Sequence, residues 1–144
     1  MEKKIKVFLD SNVLFSIAYN GKDNSRSYLI YDIQEMGSIK VCFSALVCQE
    51  ALFNIRRKRP EAEQFLKYLI DRSALLTDIY TDLKYTEIRE LPQNDRIILS
   101  TAVYHKMDVF LTGNIKDFKI VYNKKILNTL ILRPADFLGI NRER

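Results

Sequence analysis

Four acidic residues of this chain stand in places that ordinary surface acids do not occupy. Asp10 ends the apolar run IKVFL. Glu50 closes SALVCQE among apolar neighbours. Asp95 heads the stretch NDRIILSTAV, and Asp117 lies in LTGNIKDF. They are 40, 45 and 22 residues apart, so only folding can bring them together. Gathered carboxylates repel one another and stay ionised at neutral pH when positive charge sits between them. A hard divalent cation, Mg²⁺ or Mn²⁺, suits a set of carboxylate, amide and water oxygens with no soft ligand. Such a metal polarises a phosphoryl oxygen and activates a water, so metal-assisted phosphodiester hydrolysis is the matching chemistry. Each acid also has an everyday use. Asp10 and Asp95 are good helix caps, and Asp117 lies in a polar turn where Asp is common. The four together carry the expectation.

The elements that position these acids follow from apolar runs and chain breakers. Residues 5–9 predict a strand, with Asp10 placed to cap the next helix. Residues 24–36 carry apolar positions at helical spacing and stop at Gly37. Residues 40–43 predict a second strand. Ser44 then caps a helix that runs through Glu50 to about Lys58 and ends before Pro60. Residues 61–72 place Phe65, Leu66, Leu69 and Ile70 on one helical face. A third strand is expected at 74–80. Asn94-Asp95 caps a helix over 97–106, strands follow at 108–111 and 129–132, and Pro134 opens a short last helix.

Strands alternating with helices imply an α/β fold, a parallel sheet of about five strands flanked by helices. Right-handed crossovers put all the strands' carboxyl ends on one edge, and the ligand crevice lies outside that edge. Asp10, Asp95 and Asp117 fall there. Glu50, about two turns into its helix, can project to the same crevice.

Composition bounds the class and the partners. With 47% hydrophobic and 28% charged residues the chain is globular rather than disordered. Its 144 residues, without repeat or linker, fit one domain that needs no disulfide or structural metal. No apolar run approaches the roughly 20 residues of a membrane span, so no membrane partner is expected. Cys42 and Cys48 have no partner His cluster for zinc and read as reduced residues of a cytoplasmic protein. A net charge of +5 permits a nucleic-acid partner without demanding one.

The stretches VFLDSNVL (7–14), SALVCQE (44–50), NDRIILSTAV (94–103) and LTGNIKDF (111–118), closed by ILRPADFLGI (131–140), resemble in order the PIN-domain ribonucleases. The likeness is greatest to small stand-alone, VapC-like members found as toxins of toxin–antitoxin pairs. It implies a single PIN-like domain over residues 1–144 with a Rossmann-like parallel β-sheet, and a Mg²⁺- or Mn²⁺-dependent endoribonuclease. RNA is the implied substrate, with an antitoxin protein as partner and a homodimer as the assembly. Asp10 matches the family's first acid, Glu50 the second, Asp95 the third, and Asp117 the fourth in its T-x-N-x-x-D-F form. Asn12 matches the small polar residue after the first acid. Thr112 and Asn114 match polar residues that position water or metal. Asp10, Asp95 and Glu50 would hold one metal, and Asp117 a second metal or the attacking water. The implied hydrolysis leaves a 5′-phosphate and a 3′-hydroxyl. Two departures bear on metal affinity and on the second metal. Asn114 stands where some members carry Asp, and Gln93, Asn94 and Arg96 surround Asp95 where some carry further acids.

Arg56, Arg57, Lys58 and Arg59 form one dense basic run, which fits a solvated helix end as well as RNA phosphates. Lys22, Arg26 and Lys116 are further phosphate candidates. Phe8, Phe43, Phe65 and Phe110 lie on core patterns, and residues 28–33 could form a dimer or antitoxin interface. The one histidine, His105, reads as a helix-end residue and offers no pair for 2′-hydroxyl chemistry. A receiver domain would need an acidic pair after the first strand and an acceptor after the third, where only Thr77-Asp78 stands. A haloacid-type phosphatase would need Asp where Asn12 stands. The alternative function is a catalytically degenerate PIN-like module that binds RNA or protein without cutting, and the presence of all four acids argues against it.

Overall fold

A computed structural model of the chain describes residues 3–80 and 86–139. Met1 and Glu2 at the start, and Ile140 of the closing motif with the four residues after it, lie outside the described residues. The chain runs through β1 (Ile5–Leu9), α1 (Ser11–Asn20), α2 (Leu29–Glu35), β2 (Ile39–Ser44), α3 (Ala45–Lys58), α4 (Glu63–Asp71) and β3 (Ala74–Leu76). It continues through α5 (Gln93–Tyr104), β4 (Val109–Leu111), α6 (Ile115–Phe118), β5 (Lys125–Ile126), β6 (Thr129–Leu132) and α7 (Pro134–Leu138).

The strands make one six-stranded sheet in the order β3-β2-β1-β4-β6-β5. All neighbours pair parallel except β5 with β6. The chain winds outward from β1 to β3, returns to the centre, and winds the other way from β4. The switch point of this α/β sheet is therefore the β1–β4 pair, where Leu9 faces Leu111.

The central strands are short, continuous apolar runs because both faces of a parallel sheet are covered. Phe8, Leu9, Phe43, Phe110 and Leu111 are fully buried. α1 turns Val13, Leu14, Ile17 and Ala18 inward, and α3 turns Val47, Ala51 and Ile55 inward at a helical spacing of four. Ser44 caps α3, its Oγ accepting from the Val47 N–H at 3.4 Å. Pro134 occupies the first turn of α7.

Several expectations need correction. The helix expected over 24–36 splits into a 3-10 turn, Arg26–Tyr28, and the shorter α2. Tyr28, Ile30 and Tyr31 of that stretch are buried in the chain's own core, while Leu29 between them is 45% exposed. The third strand stops at Leu76 rather than reaching Tyr80. Past that point the chain bonds to helices instead of to β2. The Thr77 carbonyl lies 2.8 Å from His105 Nε2, Asp78 Oδ2 accepts from the Leu46 N–H at 2.9 Å, and the Ile79 N–H donates to Thr101 Oγ1 at 2.9 Å. β5 is an additional antiparallel edge strand. Leu127 at its hairpin tip has φ of 55° with no glycine to announce the turn. Phe65 packs against the core as expected, partly buried, stacked on Tyr68 and tilted against Tyr28. Cys42 is buried, Cys48 half-buried, and both are free thiols.

Phe110 lies under the switch point, its ring 5.7 Å from Phe8 and 5.3 Å from Phe118. Phe110→Ala is expected to destabilise the fold by about 3–5 kcal/mol, read as a lower urea unfolding midpoint at unchanged slope.

Candidate active site

Asp10 follows β1 directly, and its backbone N–H continues the sheet ladder to the Leu111 carbonyl at 2.9 Å. Its side chain is 1% exposed. Oδ1 accepts from the Ser11 N–H at 2.8 Å, capping α1, and Oδ2 accepts from Asn12 Nδ2 at 2.9 Å and Thr112 Oγ1 at 2.7 Å. Capping and membership of the acid group are thus held by one side chain. Burial pushes the Asp10 carboxyl up to about 6, against the downward pull of these three donors.

Thr112 follows β4 as Asp10 follows β1. Its hydroxyl also accepts from the Asn114 N–H at 3.0 Å. Asn12 Oδ1 accepts from the Gly113 N–H at 2.6 Å, and a Cβ on Gly113 would come within 3.1 Å of that same oxygen. Asn114 caps α6 and grips Asp117 twice, accepting from its N–H at 3.2 Å and donating Nδ2 to its Oδ2 at 2.8 Å.

Glu50 lies on α3, which packs against α1. Its Oε1 accepts from Ser11 Oγ at 2.7 Å and its Oε2 from Asn94 Nδ2 at 2.8 Å. Asp95 sits within the first turn of α5, which begins at Gln93 after Pro92, not at an Asn94-Asp95 cap. α5 leads into β4 and starts at the sheet's carboxyl edge. Burial pushes the Asp95 carboxyl up to about 7, and the charges of Asp10, Asp117 and Glu50 add to the rise. No described residue donates a hydrogen bond to it.

The structure therefore brings Asp10, Glu50, Asp95 and Asp117 to one edge, with Asn12 and Thr112 on the first acid and Asn114 on the last. Sequence reading missed Ser11 and took Asn94 only as a cap. Both fix Glu50, and their one signal was adjacency to Asp10 and Asp95. The basic run does not join the cluster. Arg56 forks onto Glu63 at 2.8 and 2.9 Å, and Arg59 pairs with Glu61 and bonds the Tyr19 carbonyl. Arg57 and Lys58 stand over the Phe53 and Phe15 rings. Lys22 lies past the far end of α1, over Tyr28, with Arg26 beyond it. Lys116 alone of the basic candidates neighbours an acid of the set, exposed on α6 beside Asp117.

The donors are hard oxygens, suited to Mg²⁺ or Mn²⁺. Among the described residues no three His, Cys, Asp or Glu side chains are drawn into a ready-made metal cage. Mg²⁺ keeps several waters and takes only one or two carboxylates, so an open ring of acids with Asp95 free of donors fits it in chemistry.

An α/β protein with an acid cluster at the switch point of its sheet belongs to a class that handles ligands at the carboxyl edge. The family model for the PIN domain matches residues 7–124, and the chain belongs to the PIN-domain family. No curated protein matches it. Its fold is similar to three solved structures. VapBC2 from Rickettsia felis, bound to a DNA fragment from its promoter, aligns at TM-score 0.61 and 16% identity over 88% of this chain and 97% of that one. VapBC-1 from nontypeable Haemophilus influenzae aligns at TM-score 0.58 and 14% identity over 91% and 99%. A toxin–antitoxin complex from Klebsiella pneumoniae aligns at TM-score 0.54 and 19% identity over 86% and 95%.

A pH test follows from the raised Asp95. Folded protein holds that proton more tightly than unfolded protein, whose carboxyl titrates near 3.8. The favourable contribution is complete below about pH 4 and is lost as pH rises through about 7. In metal-free protein, Asp95→Asn is expected to raise the urea midpoint at about pH 8 and leave it nearly unchanged at about pH 4. Equal shifts at both pH values would show that the fold does not raise the Asp95 carboxyl.

Proposed function

We propose that this chain is a divalent-metal-dependent endoribonuclease, acting in the cytoplasm as the toxin of a toxin–antitoxin pair. The observation that carries the reading is the acid group at the switch point: Asp10 buried and oriented by three donors, Asp95 opposite with its charge opposed by three other carboxylates. Membership of the PIN-domain family supports nuclease chemistry. The toxin–antitoxin names of the structural neighbours support an antitoxin as protein partner, and a homodimer belongs to the same reading.

Asp10, Glu50 and Asp95 are the residues that would hold the cation, with Asp117 at a second metal or at the attacking water. When bound, the cation polarises the phosphoryl oxygen and acidifies a water. The chain's own residues do the positioning. Thr112 and Asn12 keep Asp10 Oδ2 aimed, Ser11 and Asn94 fix both oxygens of Glu50, and Asn114 fixes Asp117. Asp95, with no donor among the described residues, is the group most able to gain from an arriving cation.

The test is cleavage of a mixed RNA panel with Mn²⁺, Mg²⁺ or EDTA, beside Asp10→Asn and Asp95→Asn. Metal-dependent cutting is expected, reduced by about 10²-fold or more in either variant. Cutting that survives EDTA and both substitutions would sink the assignment. RNA bound but never cut would favour a degenerate binding module.

A further inference from the structure

We infer that Phe53 and Arg57 of α3 form a stacking platform for an unpaired base of the RNA strand whose phosphate reaches Glu50. The inference rests on the nuclease reading and adds a substrate subsite to it. Glu50, Phe53 and Arg57 are spaced i, i+3 and i+7, which puts them in one stripe along the helix. The axial rise from Glu50 is about 4.5 Å to Phe53 and about 10 Å to Arg57. A stacked strand advances about 3.4 Å per nucleotide, so the platform lies within a few nucleotides of the acid site.

The side chains are unusual for plain packing. Phe53 is 60% exposed and takes no part in the hydrophobic core. The Arg57 guanidinium stands 5.2 Å from its ring centroid. Neighbouring Arg56 and Arg59 have carboxylate partners, whereas Arg57 has none among the described residues. An aromatic ring and a planar guanidinium side by side are surfaces on which unpaired bases stack, and Arg57 with exposed Lys58 supplies charge opposite to phosphate. A protein segment could also cover an exposed Phe. The unpaired cation and the continuity of the stripe with Glu50 favour RNA.

The experiment measures binding in EDTA of a short single-stranded oligoribonucleotide containing 2-aminopurine, and of the same sequence as a blunt duplex. Wild type, Phe53→Ala, Phe53→Trp and Arg57→Gln are compared, with Met36→Ala as an exposed control. Phe53→Ala is expected to weaken single-strand binding by about five- to a hundredfold and to abolish the 2-aminopurine quench. Phe53→Trp should preserve both, duplex binding should change little, and Arg57→Gln should lower the salt slope by about 0.7. If wild type binds single strands and Phe53→Ala binds them equally, the platform is wrong and the nuclease reading stands. If Phe53→Ala changes the sedimentation of the protein but not its RNA binding, the face is a protein interface and the inference falls. If wild type neither binds nor cuts RNA, both readings fall together.

Discussion

The buried carboxylate of Asp10 is the fixed point of this molecule. A charge at 1% exposure is unfavourable unless its oxygens are met, and here three donors from two separate parts of the chain meet them. Ser11 and Asn12 come from the start of α1, while Thr112 comes from the end of β4. Separating the two central strands would strand the carboxylate, so the sheet's ladder and the site's order are one cooperative unit. The constraint spreads outward. Asn12 fastens Gly113, Thr112 receives the Asn114 N–H, and Asn114 grips Asp117. A line of short hydrogen bonds thus runs from the first acid to the last.

The way these acids are held matters as much as where they stand. Every described hydrogen bond to Asp10, Glu50 and Asp117 comes from a hydroxyl, a carboxamide or a backbone N–H, never from Lys or Arg. Neutral donors fix direction without cancelling charge. A lysine in the same place would stabilise the resting fold and remove the field that attracts a cation. Asp95 takes no hydrogen bond from the described residues to offset its burial or the repulsion of the other three acids, so its carboxyl is raised further than that of Asp10. Strain of this kind at a site, compensated by packing elsewhere, is expected where function and stability pull apart.

Much of this was legible in the sequence because parallel sheets impose strong rules. IKVFL had to be a strand, a breaker had to follow, and the carboxyl edge then fixed where Asp10 and Asp117 would fall. Glu50 was legible from Ser44, since a capped helix sets how far in it lies. What escaped depended on contacts between residues distant in sequence. β3 ends early because Asp78 and Ile79 bond to helices α3 and α5, a competition that β-propensity in 74–80 does not register. The Ser11 and Asn94 bonds to Glu50 cross 39 and 44 residues. The basic run looked uniform in composition, yet its four members have four different environments, two of them paired with carboxylates.

That division bears on a problem any anionic strand meets at four carboxylates, which is repulsion on approach. The cations at the end of α3 stand about 10 Å along its axis from Glu50, close to one Debye length at physiological salt. At that separation they leave the field of the acid cluster largely uncancelled. The pairs Arg56–Glu63 and Arg59–Glu61 lie at the surface, where water and salt screen them and they contribute little to stability. α3 thus divides its duties by face and by end. Val47, Ala51 and Ile55 anchor it to the sheet, Glu50 turns to the cluster, and its last turn carries Arg56, Arg57 and Lys58 beyond it.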